Sequence, residues 1–334
     1  MNERILVLHT GGTIGMERGT DGYRPMPGFG AVLRRHLDGV AGLPAFDLVE
    51  LAQPIDSANL QPAQWTAIAR ELVTRWNDYR GFVVLHGTDT MAWTASALSF
   101  MLQGADRPVI LTGAQVPLVE PRTDALANLQ SALLLADSLP HGEVGVFFGR
   151  QLLRGNRSTK ASSTAFEAFA SPNAAALAEV GITLNVHAQR LQPAGARNFR
   201  LPEFDPRAVA VLTVHPGLGA HQVDALTADP ALRGLVLSSY GAGNLPDAEP
   251  GLLDALARAV ARGVVVVNRT QCSHGAVMQG AYATGAALHR IGVVPAADMT
   301  LEAAFAKLHV LLATDADPAQ VRARFGTALC GEMS

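Results

Sequence analysis

Lysine is nearly missing from this chain of 334 residues. It occurs only at Lys160 and Lys307, and the other 24 of the 26 basic residues are arginines. Arginine keeps its charge under almost all conditions, whereas lysine can give up a proton in a suitable setting. Each lysine is therefore a candidate for proton chemistry. Lys307 falls on the polar side of a C-terminal helical segment and suggests no such role.

Other scarcities exclude whole classes. Two cysteines, Cys272 and Cys330, cannot supply a disulfide framework of the secreted type. No apolar run reaches the length that spans a bilayer, and the opening run Ile5–Leu8 is too short for a signal peptide. A cytoplasmic protein with no membrane association is expected. The net charge of −3 and the lack of any basic run argue against a nucleic-acid partner. What is abundant is apolar: 49% hydrophobic residues against 16% charged ones, enough for a large core.

Short β-branched runs alternate with helical periodicities. Ile5–His9, Phe46–Leu51, Phe82–His86, Val109–Thr112 and Val144–Phe148 read as strands. Trp65, Ile68, Ala69, Leu72, Val73 and Trp76 form one helical stripe, with Pro62 in its first turn. Met91–Leu102 and Leu126–Leu134 read as two more helices. Residues Gln189–Pro206 are rich in proline and lack periodicity, and alternation resumes from Val209. Thr300 is a predicted N-cap for a helix over Leu301–Leu312. The fold class is α/β, with two domains, each a largely parallel sheet flanked by helices. The predicted boundaries are 1–190 for the domain carrying the site, 191–207 for a linker, and 208–334 for a smaller α/β domain.

Open parallel sheets bind ligands at the carboxyl ends of their strands. Four such ends in the first domain carry small polar side chains beside glycine or proline: Thr10–Gly15, Pro54–Ala58, Gly87–Thr90 and Gly113–Gln115. If the strands are neighbours, these loops converge on a pocket for a small polar ligand. Each loop also has an ordinary explanation, since Gly11-Gly12 suits a tight turn and Thr88 and Asp89 suit a helix cap. Neither nucleotide-binding glycine motif is present, nor G-x-S-x-G, nor metal-ligand histidine spacing. No metal and no cofactor are expected. His9 and His86 read as packed core histidines. The remaining chemistry is that of a hydroxyl nucleophile activated by lysine or tyrosine.

T-G-G-T-I-G at Thr10–Gly15, H-G-T-D-T at His86–Thr90 and R-G-N-R-S-T-K at Arg154–Lys160 together resemble the bacterial L-asparaginases, nearest to the cytosolic type I group. The resemblance runs along nearly the whole chain, through S-Y-G-A-G-N and V-V-V-N-R-T-Q-C in the second domain. It implies hydrolysis of L-asparagine to L-aspartate and ammonia through a threonine acyl-enzyme. By the same resemblance, Thr13 is the primary nucleophile and Tyr23 lies over it on a mobile lid. Thr88, Asp89 and Lys160 form a second catalytic group. Asp56, Ser57 and Ala58, with Thr88 and Asp89, hold the amino-acid end of the substrate. The Ala114 carbonyl contacts the amide to be cleaved. A homodimer or homotetramer is implied, with Asn244 reaching a neighbouring subunit's site.

One departure stands out. Some type I relatives have an allosteric asparagine site with an arginine just before S-Y-G, and that place is Ser238 here. The other positions of that site, Thr159, Thr270, Gln271 and Cys272, are retained. Weak or absent cooperativity is expected. Competing readings are broader action on glutamine, the amidase subunit of a tRNA-dependent amidotransferase, and a non-catalytic amino-acid sensor. The second would carry an extra N-terminal domain, which a catalytic loop at residue 10 leaves no room for. The third has no need of Thr13, Tyr23 and Lys160.

Overall fold

The computed structural model describes residues 3–193, 195–279 and 283–334, which form two compact units, Met1–Leu201 and Pro202–Ser334. In the first unit the elements in order are β1 (Ile5–Gly11), β2 (Met16–Gly19), β3 (Gly22–Pro25), α1 (Phe29–Leu37), β4 (Phe46–Ile55), α2 (Pro62–Thr74), β5 (Gly81–Leu85), α3 (Met91–Met101), β6 (Leu102–Gln103), β7 (Val109–Thr112), α4 (Ala125–Ser138), β8 (Val144–Phe148) and β9 (Gln151–Arg154). Shorter strands complete it: β10 (Thr159–Lys160), β11 (Phe169–Ala170), β12 (Ala178–Val180), β13 (Leu184–Val186) and β14 (Asn198–Phe199).

An eight-stranded sheet in the order β13-β12-β9-β8-β7-β5-β1-β4 organises this unit. The five strands from β8 to β4 are parallel, and β9, β12 and β13 extend the sheet antiparallel. Strands buried on both faces need continuous apolar runs, which is why Gly81–Leu85 and Val109–Thr112 show no alternation. One face packs a single core joining Ile5, Val7, Val83 and Ile110 to Phe29 and Leu33 of α1 and Leu129 and Leu133 of α4. Each such side chain removed from water contributes about 1.5–3 kcal/mol. Leu134, placed on the same stripe by periodicity, is exposed instead.

The second unit contains β15 (Val209–Thr213), α5 (Ala220–Leu226), β16 (Gly234–Ser239), α6 (Leu252–Ala261), β17 (Val265–Thr270), α7 (Ala283–Arg290), β18 (Val294–Pro295), α8 (Leu301–Thr314) and α9 (Pro318–Phe325). Its four strands form a parallel sheet in sequence order. Separate apolar clusters cover the two faces of that sheet. Thr300 caps α8, accepting from the Ala303 amide at 3.2 Å.

Three features differ from the sequence reading. The stretch carrying Tyr23, for which the sequence marks no strand, is a regular antiparallel ribbon with Gly19 paired with Gly22. Within the proline-rich 191–207 stretch, β14 pairs with β6, so part of it is built into the first unit; Ala194 lies outside the described residues. Lys307 is fully buried, not on a polar face. Its ammonium donates to the Phe325 and Thr327 carbonyls, both at 2.7 Å, and to Glu332 at 2.5 Å. The i, i+4 pattern of α8 is apolar nearly all round, so no helical phase marks one face as solvent.

Candidate active site

The strands whose ends carry the four polar loops lie side by side, β7-β5-β1-β4, so the loops meet at one sheet edge. They meet backbone to backbone. Gly11 and Gly12 have φ of +122° and +90°, a region that favours glycine. A Cβ on Gly11 would lie 2.4 Å from the Ile55 carbonyl oxygen, and one on Gly12 would lie 2.4 Å from the Gly87 backbone. A Cβ on Gly87 would in turn be 2.3 Å from Ser57 Oγ. Only glycine permits these three loops to touch.

Thr13 opens a short 3-10 turn, Thr13–Gly15, which is closed by the Gly15 amide donating to the Gly12 carbonyl at 3.1 Å. Across the Gly12–Gly87 contact lies Thr88, buried. Its hydroxyl accepts from Lys160 Nζ at 2.8 Å and donates to Gln115 Oε1 at 3.4 Å. Lys160 Nζ also donates to Asp89 Oδ1 at 2.7 Å. Asp89 is therefore turned toward the lysine and does not cap α3. Thr90 precedes that helix, but its hydroxyl donates to the Ser57 carbonyl at 2.8 Å instead of capping it.

Lys160 is carried by β10, paired with β11. The arginines that flank it in sequence are structural. Arg157 is buried and donates to the Asn173 carbonyl, while Arg154 pairs with buried Glu143. Gln115, to which no role was attached from sequence, is held by its own contacts. Its amide donates to the Asp124 carboxylate at 3.0 Å and its side chain to the Ala165 carbonyl at 3.1 Å. The signal for it was an amide side chain at a strand's carboxyl end.

The Asp56 carboxylate caps the Ser57–Asn59 turn, accepting from the Ala58 amide at 3.2 Å and from Asn59 Nδ2 at 2.8 Å. Ser57 is buried and Ala58 exposed at that turn, and Ala114 is buried in the loop after β7. Tyr23 stands half-exposed on β3, opposite Arg18, whose guanidinium lies 6.0 Å from the ring centre. Tyr23 and Asp56 share a cavity of about 170 Å³ with Gly11, Gly12, Gly15 and His9. A wider cleft of about 630 Å³ near Arg150, Glu167 and Glu179 contains none of the predicted site residues.

His86 is neutral, its pKa pushed down to about 4 by burial. Its Nδ1–H donates to the Gly87 carbonyl at 2.8 Å and its Nε2 accepts from the Thr94 hydroxyl at 2.9 Å. Both ring nitrogens are thus occupied. Among the described residues no cluster of three or more His, Cys, Asp or Glu side chains could hold a metal ion.

The positions considered for an effector site divide between the units. Thr159 is in the first, on β10, and the rest are in the second. Ser238 is buried at the end of β16, directly opposite Arg269 of β17, which donates to its hydroxyl at 3.3 Å. A guanidinium is therefore present one strand away from the position where the sequence lacks one. Burial lowers the Arg269 pKa, and the nearby Glu302 carboxylate offsets part of that. The Gln271 side chain donates to the Val214 and Ser238 carbonyls, and Thr270 Oγ1 accepts from the Cys272 amide. Cys272 itself is exposed. Asn244 pairs back to Tyr240 in a tight turn.

Comparison with known proteins adds to this geometry. Residues 4–192 match the family model described as asparaginase, N-terminal, and residues 208–325 match the glutaminase/asparaginase C-terminal domain. L-asparaginase 1 of Escherichia coli K12 is 44% identical over 339 residues, covering 99% of this chain and 98% of that one. A human 60 kDa lysophospholipase is 38% identical over 99% of this chain, which spans 61% of it. The crystal structure of L-asparaginase I from Vibrio cholerae superposes with a TM-score of 0.90 at 38% identity, covering all of both chains.

Proposed function

The chain belongs to the asparaginase family and is an amidohydrolase acting on L-asparagine, and within that activity we propose that Thr13 is the nucleophile. Its oxygen attacks the side-chain carbonyl carbon and its proton passes to the amide nitrogen. The tetrahedral oxyanion collapses, the C–N bond breaks, and ammonia leaves an ester on Thr13. Water then adds to the ester carbonyl and its proton returns to the threonine oxygen, releasing L-aspartate. Backbone N–H groups of the glycine-bearing loops suit the oxyanion, because they are fixed before the charge develops.

The observation that carries this assignment is the Lys160 ammonium hydrogen-bonded to both Thr88 and Asp89, one glycine contact away from the Thr13 turn. A lysine held between a hydroxyl and a carboxylate can take up and return protons during acyl transfer. In this reading Asp56 and Asp89 face the substrate α-ammonium. Ser57 and the start of α3 receive the α-carboxylate, aided by the positive helix end. The Ala114 carbonyl accepts from the amide, and Tyr23 closes over Thr13 when the β2–β3 ribbon folds down. We place the enzyme in the cytoplasm as a homodimer or a dimer of dimers. Among the described residues, no helix is long and apolar enough to cross a membrane.

Ammonia release from asparagine and from glutamine tests the assignment, using the wild type, Thr13→Val and Lys160→Met. Both variants should lose nearly all activity. Full activity in Thr13→Val would remove Thr13 as nucleophile, and the wild-type ratio of the two amides measures substrate breadth.

A further inference from the structure

His9 occupies a place where the core would otherwise be apolar. It follows Ile5 and Val7 on the same face of β1, against α1. The imidazole is 5% exposed and packs on the Phe29 ring with centroids 4.2 Å apart. Its Nδ1 lies 3.3 Å from Glu50 Oε2, on the register-paired residue of β4. Glu50 can fold over α1 because Gly30 has no side chain, since a Cβ there would be 2.7 Å from Glu50 Oε1. The far edge of the ring meets the Thr13–Gly15 turn, and a Cβ on Gly15 would lie 2.7 Å from His9 Nε2. That Nε2 is sealed from solvent and has no hydrogen-bond partner among the described residues.

Resting on the assignment of Thr13 as nucleophile, we propose that His9, steered by Glu50, is a positioning residue for the nucleophile turn, and that protonating His9 drives that turn out of working geometry. In the neutral ring the Nδ1–H points to Glu50, and the bare Nε2 lone pair faces Gly15. A second proton would place a buried N–H against Gly15 with no acceptor, which costs more than the neutral packing. The turn relieves this only by moving, and Thr13 moves with it. Burial accordingly lowers the His9 pKa, with Glu50 acting in the opposite sense. Phe29 of α1 and Gly15 of the turn pack on the ring, and Asp56 and Tyr23 border the adjoining cavity. Glu50 is the charged group paired with the ring.

The test is the pH dependence of kcat and KM for the wild type, Glu50→Gln, His9→Asn and His9→Gln. The wild type should show a one-proton acid limb in kcat. Glu50→Gln should shift that limb to lower pH, because the carboxylate no longer favours the imidazolium. His9→Asn keeps a donor toward Glu50 but leaves Gly15 unsupported, so kcat should fall by about 10- to 100-fold with KM nearly unchanged. His9→Gln reaches further toward Gly15 and should recover part of that loss. Neither His9 variant should retain the limb. The inference fails if the Glu50→Gln limb coincides with the wild type's, if the limb persists without His9, or if His9→Asn has wild-type kcat. Should the His9 variants not fold, Glu50→Gln decides alone. An active Thr13→Val removes the nucleophile assignment, whereas an unshifted limb with Thr13→Val inactive removes only this inference.

Discussion

Lys160 Nζ and Thr88 Oγ1 are 2.8 Å apart, and the lysine reaches that threonine from a strand 72 residues further along the chain. A guanidinium in place of the ammonium keeps the charge but is wider and does not give up a proton. Lys160→Arg should therefore lose most activity while the folded structure and substrate binding persist. Single-turnover ammonia release, compared with asparagine binding by calorimetry, separates these. Wild-type turnover in Lys160→Arg would show that only the charge is needed.

The other lysine predicts stability instead of activity. Lys307 and Glu332 are both fully buried, and all three lysine protons are spent on the Phe325 and Thr327 carbonyls and Glu332. Glu332 also accepts from the Leu329 and Cys330 amides. Removing one member of such a pair leaves a buried charge uncompensated, at a cost of about 3–5 kcal/mol. Lys307→Met should lower the urea midpoint accordingly, with Lys307→Met/Glu332→Leu recovering part of the loss. A midpoint unchanged in the single variant would contradict the pairing.

Acid lability should arise in both units. His86 in the first and His309 in the second have pKa values pushed down to about 4 by burial, against 6.5 for the exposed side chain. Between those values the unfolded chain binds protons that the folded chain does not. Stability is thus complete above about pH 6.5 and falls as the pH drops toward 4, by about 3 kcal/mol per histidine. Denaturant midpoints across that range give the slope, and His309→Phe, facing Phe204 and Phe305, should reduce it. A slope identical to the wild type's would exclude His309 as a contributor.

Rate curves with asparagine should be hyperbolic. Ser238 offers no cation, Arg269 is half-buried with Glu302 beside it, and Gln271 already donates to two carbonyls. A bound carboxylate would have to compete with these contacts. Sigmoidal kinetics in the wild type would refute this, and loss of the sigmoid in Arg269→Ala would identify the arginine as its carrier.

The strand-and-helix alternation and the four polar strand ends were legible because buried parallel strands and amphipathic helices leave different periodicities. Thr88, Asp89 and Lys160 were legible through their motifs, although no spacing rule shows that a lysine on β10 reaches a threonine after β5. Two things were hidden for physical reasons. Lys307 sits in a helix that is apolar nearly all round, so its burial depends on the end of α9 and the chain after it folding back to provide carbonyls and Glu332. His9 read correctly as a packed histidine, but its approach to Gly15 depends on how the turn folds back over β1, which no local pattern encodes.

The contact between Gly11, Gly12 and Gly87 and their neighbours also bears on how this protein can change. At these three glycines the loops abut one another, so a new side chain there would drive the loops apart instead of reshaping a pocket. Ala58 and the Tyr23 ribbon are exposed and meet no such obstacle. The geometry that makes the centre intolerant of change leaves the exposed segments around it as the place where this chain can vary.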